Sequence, residues 1–150
     1  MKNTTDKKQI EFKLSEIIEK NFCLHESIST LKEFDDSKLI VQLGYKFELD
    51  EDLVTVSLIT KYNYPDDKNE EKSILELWID YVFYVNNKEE YIKKEKDKII
   101  DKGGIFPVLL GIAIGTSRGI LFSKTSSTIL AKYPLPAYDP QKMIEKGQIK

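Results

Sequence analysis

The sequence predicts an α+β fold in which an antiparallel sheet comes first and helices follow. Three observations predict it. Three consecutive segments alternate apolar and polar residues with period two, and the connectors between them are short and polar. From Phe106 to Ala131 the apolar residues recur with helical spacing instead.

Taken in order, Ile10–Leu24 reads two ways. Ile10, Leu14, Ile17 and Ile18 have helical spacing, whereas Ile10, Phe12 and Leu14 alternate, so periodicity leaves helix and strand open. Leu39–Leu49 alternates cleanly, with Leu39, Val41, Leu43, Tyr45, Phe47 and Leu49 on one side and Gln42, Lys46 and Glu48 on the other. In Leu53–Tyr64 the even positions Val54, Val56, Leu58, Tyr62 and Tyr64 carry the apolar load, and in Ser73–Val85 the odd positions do. Asp50-Glu51-Asp52 and Pro65–Lys72 are short enough for hairpins, so this part is a meander. The opposite face of Ser73–Val85 carries Ile74, Trp78, Val82 and Tyr84 between Glu76 and Asp80. That face is too apolar for plain solvation: a second layer or a neighbouring subunit covers it, or it serves association.

Asn86–Lys102 is charge-dense, with a thin apolar stripe of Ile92, Ile99 and Ile100, and reads as a solvated helix or an ordered loop. Within the helical stretch 106–131, Thr125-Ser126-Ser127-Thr128 is placed to bend or interrupt it, because hydroxyls compete for backbone groups. Tyr133-Pro134-Leu135-Pro136 stops it. Asp139-Pro140 reads as an N-cap and first helical residue, opening a short final helix through Ile144.

Composition narrows the function. The 150 residues suit one compact domain, taken as 10–146 after a flexible N-terminus, 1–9. A net charge of −2 with intermixed signs gives no nucleic-acid footprint. One cysteine, Cys23, and a polar N-terminus without an apolar leader point to the cytoplasm. Arg118, the one arginine, reads as a helix-surface cation.

The stretch Gly103–Phe122 tests three chemistries. Its uncharged part ends at Ser117 and contains Pro107, short of the about 20 apolar residues that a membrane span needs. Its glycines Gly111, Gly115 and Gly119 recur every fourth residue, which matches neither phosphate-binding glycine motif. That spacing lines one helix ridge, where each glycine costs about 1 kcal/mol relative to alanine. A close-packing or interface helix, against the sheet or a partner subunit, is the expectation. Cys23 and His25 are the one available nucleophile–base pair, but no orienting group or oxyanion hole accompanies them. The acidic tip Asp50–Asp52 lacks the ligand spacing of a calcium loop. No catalytic residue, metal or cofactor is therefore expected.

Three places resemble the SecB-like family of protein-export chaperones and their relatives. Gly119-Ile120-Leu121-Phe122 leading into Thr125–Leu130 is similar to the family's entry into its long helix. Tyr133-Pro134-Leu135-Pro136 resembles the segment after that helix, and Tyr138–Ile144 stands where the final helix starts. The resemblance implies that Ile10–Leu24 is the first of four antiparallel strands. It further implies an ATP-independent homo-oligomer, dimer or tetramer, that holds unfolded or partly folded polypeptides. The groove would lie near the sheet and the crossover into the first helix, with Trp78, Tyr84, Phe106 and Phe122 as candidate contacts. The chain departs from the family in two ways: Ser123-Lys124 replaces a Pro-Tyr pair, and its nearly balanced charge lacks the strong acidity of the chaperones that deliver clients to the SecA motor. SecA binding is doubtful on those grounds. Relatives also stabilise toxin–antitoxin pairs, so a module dedicated to one partner, such as an antitoxin, is the alternative.

Overall fold

A computed structural model describes residues 9–25 and 33–148. All but the last residue of the expected N-terminal segment 1–9 lies outside them. The long strands are β1 (Phe12–Leu24), β2 (Ile40–Asp50), β3 (Leu53–Pro65) and β4 (Glu71–Val85), in antiparallel order β1-β4-β3-β2. Ile10–Leu24 thus resolves as a strand from Phe12 onward. The turn between β2 and β3 is tight, pairing Asp50 with Leu53, and Glu51 adopts a left-handed backbone (φ 44°) to close it.

The charge-dense stretch is neither a solvated helix nor a loop. It forms one helical turn, α1 (Lys88–Tyr91), and a small hairpin of β5 (Ile92–Glu95) and β6 (Lys98–Asp101). Its isoleucines explain this: Ile92 is buried against the main core and Ile99 packs on it, while the lysines point to water.

Asp101 then starts α2 (Ile105–Thr125), accepting from the backbone N–H groups of Ile105 at 3.0 Å and Phe106 at 2.8 Å. Those donors have no partner inside the helix, so the carboxylate satisfies what the first turn cannot. The helix ends where the hydroxyl run begins. Thr125 Oγ1 donates to the Leu121 carbonyl and Thr128 Oγ1 to that of Thr125, and a 3₁₀ turn follows at Ile129–Lys132. Asp139 caps α3 (Pro140–Gln148) through the N–H of Gln141 at 3.0 Å. This helix continues beyond Ile144, farther than its sequence announces.

One face of the sheet makes the core. Val54, Val56, Leu58 and Tyr62 of β3, with Leu75 to Val85 on the odd positions of β4, are buried beneath α2. Fully burying such side chains contributes about 1.5–3 kcal/mol each. The helix presents Leu109, Leu110, Ala113, Ile114, Ser117 and Leu121 to them. It runs from β2, where Phe106 stacks on Phe47 at 4.2 Å between centroids, to β1, where Lys124 Nζ meets Glu19 Oε1 at 2.6 Å. By length and hydropathy α2 is capable of crossing a bilayer, so its length does not exclude a span as the sequence suggested. Its packing on the sheet is that of a core helix.

Two sequence expectations are narrowed at this helix. Gly115 and Gly119 face outward, with no atom within 4 Å of where a Cβ would stand, and at Gly111 the nearest is Pro140 Cγ at 3.4 Å. The ridge does not pack closely on the sheet, because the buried arc is centred on the opposite side of the helix. Close approach occurs instead at Gly103, where a Cβ would stand 2.5 Å from Ile10 Cδ1. Arg118 is not merely a surface cation: Nε donates to the Leu135 carbonyl and Nη2 to that of Pro136, both at 2.9 Å. It fastens the Tyr133–Pro136 segment to α2.

Candidate polypeptide-binding surface

The four aromatic candidates do not converge. Phe106 is 6% exposed and stacked on Phe47, so it belongs to the core. Its place in the first turn of α2, held by Asp101, points it at the sheet. Phe122 is 57% exposed on the outer ridge of the same helix. Trp78 and Tyr84 lie on the sheet's other face, the one without helices. Six residues of strand separate them, roughly 20 Å.

Trp78 borders a depression of about 510 Å³ on that face. Across the sheet its neighbours are Ile59 on β3 and Gly44 on β2, and Gly44 has nothing within 4 Å of a would-be Cβ. The missing side chain opens the floor. Indole Nε1 donates to Asp80 Oδ1 at 3.0 Å, which fixes the ring. Lys46 and Glu48 pair at 2.8 Å on the rim, and that bond, with the Glu48 charge, raises the Lys46 pKa. Tyr84, at 37% exposure, stands apart beside Lys13.

A second concavity, about 690 Å³, lies between the β5–β6 hairpin, the start of α2 and α3. Ile99, Ile100, Pro107 and Ile144 supply apolar lining, and Lys98 and Glu145 are among its polar residues. Ile100 is 38% exposed. Asp101, also in this wall, is committed to the helix cap and so positions the hairpin against α2. The opposite wall, α3, is held by the Tyr45 hydroxyl, which donates to the Met143 carbonyl at 3.0 Å. Ile99, Ile100 and Ile144 were not singled out as contacts from sequence. Their signal was the thin isoleucine stripe, which acquires meaning only once the hairpin folds it toward α3.

The tyrosines around the core are shifted by burial. Tyr62, which donates to the Tyr133 carbonyl at 2.7 Å, has its pKa pushed up to about 12 by burial and by the nearby Tyr138. Burial also raises the Tyr81 pKa, against the opposing effect of its Ser117 hydrogen bond. These hydroxyls join core elements and face neither concavity. Cys23 is exposed near the end of β1, and the backbone N–H of His25 bonds to the Ile74 carbonyl at 2.8 Å. Among the described residues no three His, Cys, Asp or Glu side chains are grouped to hold a metal ion. No protein-family model and no curated protein matches the chain.

Proposed function

We propose that this protein holds unfolded or partly folded polypeptide segments, without nucleotide, in the cleft between the β5–β6 hairpin and α3, as a cytoplasmic SecB-like chaperone. The cleft carries the reading: it has isoleucine and proline lining beside charged residues, at the crossover where the resemblance puts a client groove. Apolar contact area tolerates varied client sequences, and polar residues at the margin satisfy the client's backbone. Membership of the SecB-like family belongs to the same proposal. So does a homo-oligomer joined through the uncharged outer ridge of α2, where Val108, Gly115, Gly119 and Phe122 are exposed.

The test is suppression of aggregation of a chemically denatured client at stoichiometric protein and without nucleotide. Wild type should suppress, and Ile100→Asp, at an exposed position of the lining, should lose most of the effect while melting as wild type does. Absence of suppression by a folded wild type, with no polypeptide co-purifying, would overturn the reading. A second reading, a module dedicated to one partner, is favoured by the Trp78 depression. There a fixed indole and charges of both signs prescribe one complementary pattern. Pull-down from the native host separates the two, since many clients support the first and one stoichiometric partner the second.

A further inference from the structure

The sheet has two outer strands, β1 and β2, and they are not alike. β1 is broken by register shifts between Leu14 and Glu16 and between Glu19 and Asn21. Bulges of this kind twist and blunt an edge against further pairing. β2 runs in unbroken register along β3 for its whole length, from Ile40 to Asp50, without proline or bulge. Its inward row, Val41, Leu43, Tyr45, Phe47 and Leu49, is half-buried, where the corresponding Val54, Val56, Leu58 and Tyr62 of β3 are fully buried. Among the described residues no strand flanks β2 on its outer side.

We propose that the β2 edge pairs antiparallel with the β2 edge of a second copy of this chain, about a two-fold axis at Phe47. Charge selects the partner and the register. Cross-strand neighbours stabilise when opposite in charge and destabilise when alike. An axis at Lys46 would set lysine against lysine, and one at Glu48 glutamate against glutamate. An axis at Phe47 sets Lys46 of each copy against Glu48 of the other, twice by symmetry, and Gly44 against Asp50. It also lays Tyr45 against Leu49, extending the half-buried apolar row. Lys46 and Glu48 already pair within the strand at 2.8 Å with largely exposed side chains, so association would join two pairs into a four-charge network. The contact is independent of polypeptide holding and distinct from the α2 ridge.

Charge swaps test it, read as solution mass against concentration at low salt, with hydrogen exchange of the β2 amides. Wild type should dimerise with protection of alternate β2 amides. Lys46→Glu and Glu48→Lys should each weaken the dimer about tenfold. The double swap should restore it. All of these residues are exposed, so an unchanged melting profile confirms that each variant is folded. A dimer unaffected by either single swap overturns the proposal, as do a double swap that fails to recover and a strictly monomeric wild type. So does a dimer lost in Phe122→Glu but kept in Lys46→Glu, which would place the interface on α2. Protection of β2 only when a denatured client is added would assign the edge to client strands and overturn self-pairing. Aggregation suppression, measured separately, reports on the cleft alone.

Discussion

Replacing Ser117 with alanine should destabilise this protein more than the loss of one small hydroxyl suggests. Ser117 Oγ and Tyr81 Oη lie 2.5 Å apart, with 2% and 0% exposure respectively. Without Oγ the tyrosine hydroxyl stays buried, and leaving such a group unpaired costs about 1–3 kcal/mol. At about 2–4 °C per kcal/mol for a chain of this size, the melting midpoint should fall by roughly 2–12 °C. Tyr81→Phe should cost less. A helical serine has a fallback in the carbonyl four residues back, the bond that Thr116 makes to Ile112 and Thr125 to Leu121. The double variant leaves neither partner orphaned, so its loss should undershoot the sum of the single losses by about 1 kcal/mol or more. Urea unfolding with an unchanged m-value is the assay. Single losses that add to within about 0.5 kcal/mol, or a Ser117→Ala midpoint equal to wild type, would refute the reasoning.

Two further outcomes follow from the same geometry. Phe106→Ala should cost about 3–5 kcal/mol in denaturant unfolding, because the ring fills the space between α2 and Phe47. Phe122→Ala should stay within about 0.5 kcal/mol for the monomer; equal losses would put both rings in the core. Tyr62 binds its proton more tightly when folded than when unfolded, so the stability it contributes is complete below pH 10 and declines as pH rises toward about 12. Melting across that window should show the decline, reduced in Tyr62→Phe; an identical slope in the variant would exclude Tyr62 as its source.

The strands were legible because a half-buried strand writes its burial in every second residue, as β2, β3 and β4 do. The first strand was not, and its bulges are the reason. Leu14 pairs with Phe83 and Ile17 with Tyr81, neighbours on one face of β4. Leu14 and Ile17 therefore share a face although three residues apart, which is the spacing of a helix. Glu19 and Phe22 repeat this opposite Ile79 and Leu77. A bulge shifts the phase of alternation and imitates helical periodicity. The β5–β6 hairpin escaped notice because four-residue strands are too short to show a period. The glycines left sheet and partner subunit open because spacing reveals that residues share a ridge without saying which way the ridge faces. Alternation put Trp78 on the sheet's other face and left open what covers it, whereas the cleft needed three elements brought together before it existed.

The walls of that cleft are fastened by side chains that have nothing in common. Asp101 clasps the hairpin to the first turn of α2, whereas Arg118 and Tyr45 anchor the segment leading to α3 and α3 itself. The hairpin's fastening bypasses the sheet, whereas Tyr45 ties α3 to β2. Mechanically the cleft is a pair of jaws on a fixed plate, each jaw on its own bolt. Loosening one should therefore change the gape without unseating the other, an adjustment made by a few hydrogen bonds and not by the β-sheet core.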